Sequence, residues 1–143
     1  MIEITSTDIK DGCDTLVFLK TGFIKWIIET DGGCEFTFKD GYSTFAMEAF
    51  DDVKIKLAAD SYGGKWQENW IELLLEENGK QYRMLLNKYL ISLIYRDEDL
   101  TKVETYIEGA MKCPVFHALN SYKDVKAQME ETYASARKKK NHV

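Results

Sequence analysis

A thiol and an imidazole stand four residues apart in the segment from Cys113 to His117. A cysteine activated by a neighbouring histidine is a common enzymatic nucleophile. Catalytic pairs of this kind usually come from separated segments, however, and Asn120 is the nearby candidate for orienting the imidazole. The segment therefore favours a structural junction over a catalytic pair, and we expect no enzymatic activity.

Four side chains have the chemistry of zinc ligands: Cys13, Cys34, Cys113 and His117. Their spacing lacks the Cys-x₂₋₄-Cys pair that is typical of zinc sites. We therefore expect the cysteines to pack as small apolar side chains, with no metal and no cofactor. An odd number of cysteines without an N-terminal secretory leader is typical of free thiols in the reducing cytoplasm, where we place the chain.

Acidic side chains adjoin one another at Asp51-Asp52, Glu76-Glu77 and residues 97–99. Glycoside hydrolysis needs two carboxylates that face each other across a cleft, and neighbours in sequence do not provide that arrangement. Residues 97–99 are typical of a helix cap and first turn, and Glu76-Glu77 of a soluble hairpin end.

Aromatic side chains are concentrated in the loop that contains Tyr62, Trp66 and Trp70, next to the glycine pair at residues 63–64. Such rings can stack on a base or a sugar, or anchor a protein partner. They could equally fold back over a sheet, and the sequence leaves that alternative open. The glycine pair lacks the spacing of a phosphate-binding loop.

The net charge of −5 is distributed unevenly. Residues 123–143 contain six basic and three acidic side chains, so residues 1–122 carry a net charge of −8. A body of this charge repels phosphate backbones and attracts basic partners. The cluster Arg137-Lys-Lys-Lys140 makes nucleic-acid binding a weaker alternative, because terminal charges more often serve solubility and the helix dipole.

These residues must be positioned by one domain, because 143 residues with 45% hydrophobic and 13% aromatic side chains suit a single core. We assign residues 1–136 to that domain and residues 137–143 to a short basic tail. No stretch approaches the length of a membrane helix. Short apolar runs separated by turns predict strands at residues 15–20, 23–29, 34–39 and 42–49. The alternation of Val53, Ile55 and Leu57 predicts a further half-buried strand.

The sharpest local signal is a hairpin around Asn78-Gly79, whose residue types suit a type I′ turn between strands at 70–76 and 81–86. Helical spacing of apolar residues predicts helices at 87–95, at about 97–111 and at about 121–138. The expected fold class is α+β, with an antiparallel sheet of hairpins or a meander, about six to eight strands in the first two-thirds of the chain, packed by C-terminal helices.

We expect a non-enzymatic protein-binding module, such as an acidic inhibitor or immunity-type protein with a basic macromolecular partner. Its predicted binding residues are Tyr62, Trp66, Trp70, Asp51 and Asp52. The alternative is a domain that binds a small ligand or single-stranded nucleic acid through the aromatic loop. A homodimer formed through an exposed edge strand also stays open.

Overall fold

A computed structural model describes residues 1–7 and 14–131 of the chain. These residues form two antiparallel sheets and two α-helices, which confirms the predicted α+β class. In chain order the elements are β1 (Ile2–Thr7), β2 (Asp14–Leu19), β3 (Ile24–Thr30), β4 (Gly33–Phe38), β5 (Ser43–Ala46), α1 (Phe50–Asp60), β6 (Trp70–Glu77), β7 (Lys80–Asn87), β8 (Ile91–Asp97), β9 (Leu100–Thr105), β10 (Val115–Ala118) and α2 (Tyr122–Glu130). Neither described helix is long and apolar enough to cross a membrane.

The large sheet has seven strands in the order β2-β1-β5-β4-β3-β7-β6, and the small sheet has three in the order β10-β9-β8. Most neighbouring strands are also neighbours in sequence and form hairpins. The exceptions in the large sheet are β1 beside β5 and β3 beside β7. The pairing of Ile27 with Leu85 is part of the second junction, which joins the first five strands to the β6–β7 hairpin.

One face of the large sheet is covered by α1, and we call it the helix face. Phe50, Val53 and Leu57 recur at helical spacing and are buried against it. The strands contribute the remaining buried apolar side chains of this first core: Ile2, Ile4, Ile24, Ile27, Cys34, Phe36, Phe38, Ala46, Trp70 and Leu85.

The opposite face of the large sheet is covered over β6 and β7 by the small sheet and α2. A second core of fully or nearly fully buried residues fills this space: Ile71, Leu73, Leu75, Met84, Leu86, Val103, Ala118 and Val125. On β2, by contrast, the same face exposes Leu16 and Phe18, which are 68% and 63% exposed. The large sheet is therefore packed on both faces at one end and on one face at the other.

Side chains from the C-terminal region cover the outer edge of β6. The Gln128 amide accepts a hydrogen bond from the main-chain N–H of Glu72 at 2.6 Å and donates one to its carbonyl at 2.9 Å. Asn120 Oδ1 accepts from the N–H of Leu74 at 2.7 Å, and the N–H of Leu119 donates to the carbonyl of Leu74 at 2.8 Å. These groups satisfy main-chain atoms that a further strand would otherwise bind.

The predicted hairpin is confirmed. Asn78 and Gly79 both have positive φ, 53° and 77°, as a type I′ turn requires. Its strands extend slightly beyond the predicted bounds, and Ile71, Leu73 and Leu75 share one buried face as the alternation predicts.

The predicted strand through Val53, Ile55 and Leu57 is wrong, because this segment lies in α1. Val53 and Leu57 are buried, but Ile55 is 67% exposed. The alternation was produced by one surface isoleucine beside a helical stripe that begins at Phe50.

The predicted helices at 87–95 and 97–111 are also wrong, because these residues contain β8 and β9 and no α-helix. In β9 the buried positions alternate as Thr101, Val103 and Thr105, so two polar residues face the core. The Thr101 hydroxyl donates to the carbonyl of Asn120 at 2.8 Å, and the Thr105 hydroxyl donates to that of Pro114 at 2.7 Å. These hydrogen bonds offset the free-energy cost of burying the two hydroxyls.

The last predicted helix begins where expected. Ser121 caps α2 by accepting a hydrogen bond at 3.1 Å from the N–H of Asp124. It ends at Glu130, earlier than predicted, because Glu131 already has an extended backbone with φ −73° and ψ 104°. The remainder of the predicted helix, residues 132–138, and the basic tail at 137–143 lie outside the described residues.

Candidate functional site

A groove of about 540 Å³ lies between the tips of the β3–β4 and β6–β7 hairpins, and we call it the hairpin groove. The pairing of β3 with β7 sets Ile28 opposite Met84 and thereby holds the two tips side by side. The groove is lined by Ile28, Glu29, Thr30, Asp31, Gly32, Glu35, Glu77, Lys80, Gln81 and Tyr82. Residues that the first and third quarters of the chain supply therefore share one concave surface.

The apolar part of the groove is formed by Ile28 and Tyr82, which pack partly buried against the second core. Burial raises the pKa of Tyr82, and the charge of Glu77 raises it further. The phenol is consequently neutral at physiological pH and offers a flat apolar ring with one hydrogen-bonding group.

Carboxylates surround this apolar part. Asp31 forms an exposed ion pair with Lys80, at 2.7 Å. Glu35 stands on β4 opposite Ile28, and Glu77 ends β6; no ion pair joins either carboxylate to another described residue. The border of the groove therefore carries two carboxylates without an ion pair among the described residues, and Lys80, which lies opposite Glu77, is the basic residue of the lining.

The combination of apolar surface and border carboxylates suits a long cationic side chain. The methylene groups of a lysine or arginine can cover Ile28 and Tyr82, while the charged end approaches Glu35 or Glu77. A cation above the Tyr82 ring would gain further electrostatic attraction.

The predicted site residue Asp51 lies on the helix face and is engaged within the protein. Its carboxylate accepts a hydrogen bond from Arg83 at 2.9 Å and lies 3.7 Å from the ammonium of Lys54. Arg83 is also bound at 2.7 Å by Glu29, and its guanidinium lies over the Phe50 ring. These hydrogen bonds from Arg83 lower the pKa of both Glu29 and Asp51.

Asp52, the other predicted carboxylate, lies exposed in the first turn of α1, where a negative charge complements the helix dipole. It does not line the hairpin groove. The structure therefore separates Asp51, which is held by Arg83, from Asp52, which faces solvent.

The three rings of the aromatic loop have different surroundings. Trp70 is 3% exposed in the first core, and Trp66 packs partly buried against that core, with the ammonium of Lys54 at 5.0 Å from its ring centre. Tyr62 is 83% exposed. The expectation that all three rings share one binding surface therefore fails for Trp70, and one side of Trp66 is occupied by Lys54.

Cys113 and His117 lie close in sequence but have separate environments. The Cys113 sulfur accepts a hydrogen bond from the N–H of Ile107 at 3.3 Å, whereas His117 is an exposed residue of β10, opposite Lys102 on β9. Asn120, the proposed orienting residue, instead binds β6. No hydrogen bond between Cys113 and His117 is present among the described residues.

The remaining zinc-ligand candidates are also separated. Cys34 is fully buried, its thiol donates to the carbonyl of Glu48 at 3.3 Å, and burial raises its pKa to about 12. Cys13 lies outside the described residues. Within residues 1–7 and 14–131, no three histidine, cysteine or carboxylate side chains are grouped as a metal site would require.

Sequence reasoning did not identify Ile28, Glu35, Glu77 and Tyr82 as a group. The turn at residues 31–33 and the strands beside it are readable from the sequence, so the proximity of Ile28 and Glu35 could have been inferred. The juxtaposition with β7 could not, because no local signal specifies that β3 and β7 are neighbours.

Comparisons of the chain with protein-family models, with curated proteins and with solved structures found no match.

Proposed function

We propose that this protein is a non-enzymatic binding module for a basic protein partner, and that the hairpin groove receives a lysine or arginine side chain of that partner. The observation that carries the proposal is the groove itself, where Glu35 and Glu77 border the apolar surface of Ile28 and Tyr82. An acidic inhibitor or immunity-type protein would use such a surface to capture a basic target.

The charge of the chain supports the same class of partner. Residues 1–122 carry a net charge of −8, which accelerates the approach of a basic protein and repels nucleic acid. Attraction at long range raises the association rate, and the groove contacts then slow dissociation.

The structure also weakens the support for the alternative, a stacking site for a small ligand or a single-stranded nucleic acid. That interpretation relied on three rings, of which Trp70 is in the core and Trp66 lies against Lys54. Tyr62 alone keeps a large exposed surface. One ring offers less stacking energy than three, since each stacked base contributes only about 1–3 kcal/mol.

A titration with a defined basic probe tests the proposal. A short lysine- and arginine-rich peptide is added to the isotope-labelled protein, and the amide shifts are followed by NMR. We expect the largest changes at Ile28, Glu35, Glu77 and Tyr82. The double variant Glu35→Gln, Glu77→Gln should bind the peptide about tenfold more weakly, equivalent to about 1.4 kcal/mol.

The matched control is the double variant Asp40→Asn, Asp52→Asn, which removes two exposed carboxylates that do not line the groove. Equal weakening by both double variants would show that the peptide responds only to net charge and would overturn the groove as the site. Tight binding of a single-stranded oligonucleotide in place of the peptide would overturn the proposed partner class.

A further inference from the structure

The outer edge of β2 forms the end of the large sheet opposite β6, away from the small sheet. Strand β2 is the last strand of the large sheet and pairs only with β1 among the described strands. Its outer main-chain N–H and C=O groups have no strand partner within residues 1–7 and 14–131. Such an edge can accept a strand from another chain.

The side chains of β2 are unusual for an exposed edge. Leu16 and Phe18 project from the face opposite the helix face and are 68% and 63% exposed. Val17 and Leu19 point the other way and pack partly buried against the first core. Proteins commonly protect exposed edges with charges, prolines or bulges, but residues 15–19 contain none of these charges or prolines.

We propose that the occupant of this edge is a second copy of the chain, which pairs its own β2 antiparallel to the first across a two-fold axis at Val17. A two-fold axis that extends a sheet in this way keeps the two faces of the sheet continuous. Two residues that lie opposite each other in an antiparallel pair must project from the same face of the sheet. Because side chains alternate between the faces, the two-fold axis must relate a residue to its own copy, and it cannot lie between two successive residues.

The sequence of β2 is complementary to itself in this register. Leu16 of each copy lies opposite Phe18 of the other, so four exposed apolar side chains meet on one face. Asp14 of each copy lies opposite Lys20 of the other, which places two pairs of opposite charges at the ends of the paired segment. A shift of the axis to Leu16 or Phe18 would lose these charge pairs, because Asp14 would then face Phe18 or lie beyond the partner strand.

Lys20 can take part because its backbone continues the strand direction, with φ −73° and ψ 121°. No described residue forms an ion pair with Asp14 or Lys20, although Asp14 accepts a hydrogen bond from Thr7 within its own chain. The new pairs also offset locally the repulsion between two chains that each carry a net charge of −5.

Sedimentation velocity over a range of protein concentrations tests the proposal on the full chain. We expect the dimer fraction of the wild-type protein to rise with concentration. Phe18→Lys should weaken the dimer at least about tenfold, because it places a charge against Leu16 of the partner copy at two symmetric positions. The control Tyr42→Lys alters another exposed aromatic residue and should leave the dimer unchanged.

A charge exchange tests the register. Asp14→Lys alone and Lys20→Asp alone each place like charges opposite each other and should weaken the dimer. The double variant Asp14→Lys, Lys20→Asp restores opposite charges and should recover it.

Circular dichroism establishes that each variant is folded, as we expect for substitutions at exposed positions. A wild-type protein that stays monomeric at every concentration would overturn the proposal. So would a dimer that tolerates Phe18→Lys, or a double exchange that fails to recover association, since either result would place the contact elsewhere or in another register.

Discussion

The two edge strands of the large sheet, β6 and β2, differ in how their outer main-chain groups are hydrogen-bonded. At β6 the main-chain groups of Glu72 and Leu74 are satisfied by Gln128, Asn120 and Leu119, and the second core covers the adjoining face. At β2 the described residues leave the edge open and expose Leu16 and Phe18. The large sheet is therefore packed on both faces and along its edge at β6, whereas β2 has one exposed face and no second strand partner among the described residues.

The largest expected difference between the two ends concerns packing. Leu73→Ala, in the second core, should lower the free energy of unfolding by about 2–5 kcal/mol, because a fully buried side chain leaves a cavity. Leu16→Ala, on β2, should change it by less than about 0.5 kcal/mol. Urea denaturation of both variants, at a concentration low enough to keep the chain monomeric, measures the contrast. Similar losses for the two variants would mean that the β2 end is packed as tightly as the β6 end.

A smaller effect is expected from the amides that cover the β6 edge. The double variant Asn120→Ala, Gln128→Ala should cost about 1–3 kcal/mol, because it removes hydrogen bonds from main-chain groups of β6. Amide hydrogen exchange at Glu72 and Leu74 should become faster. The control Lys126→Ala alters an exposed position of α2, the helix that contains Gln128, and should leave the exchange rates of Glu72 and Leu74 unchanged. Unchanged exchange in the double variant would contradict the role of the two amides.

The smallest effect concerns the pH dependence of stability that comes from the ion pairs of Arg83 with Glu29 and Asp51. Arg83 lowers the pKa of Glu29 and Asp51 from ordinary values of 4.5 and 3.8, so their contribution to stability is present above those values and is lost as the pH falls below them. The stability difference between wild type and Arg83→Met should therefore be largest near neutral pH and shrink in acid.

Urea midpoints measured from neutral to acid pH check this dependence. The control Lys80→Met removes a highly exposed ion pair with Asp31 and should show little pH-dependent loss. A difference between wild type and Arg83→Met that stays constant with pH would show that the cost is one of packing against Phe50 and not of charge.

The parts of the fold that the sequence predicts correctly are those with a local signal. Asn78 and Gly79 are residue types that accept positive φ, and the turn between β6 and β7 forms there. The turn between β8 and β9 instead has Glu98 at φ 56°, a residue type that rarely adopts this conformation, so the sequence contains no comparable signal. Because the sequence lacks a turn signal there, the residues of β8 and β9 were predicted to be helical.

The candidate site was less predictable than the fold class. An aromatic residue type does not tell whether its ring lies in the core or at the surface, and only the packing shows that Trp70 is buried while Tyr62 is exposed. The groove depends on the neighbouring positions of β3 and β7, which are distant in sequence. Charge counting could indicate a basic partner, but it could not distinguish Asp51, which binds Arg83, from Glu35, which lines the groove.

The pairing of β3 with β7 also has a consequence for the order of events during synthesis. Strands β1 to β5 and α1 leave the ribosome before β7, and until β7 arrives the edge of β3 with Trp26 and Ile28 has no partner strand. Leu85, a buried residue of the first core, is missing at the same stage because it belongs to β7. A nascent chain that stalls before residue 87 therefore presents an unfinished core and an open strand, which are the features that chaperones bind and that lead to aggregation.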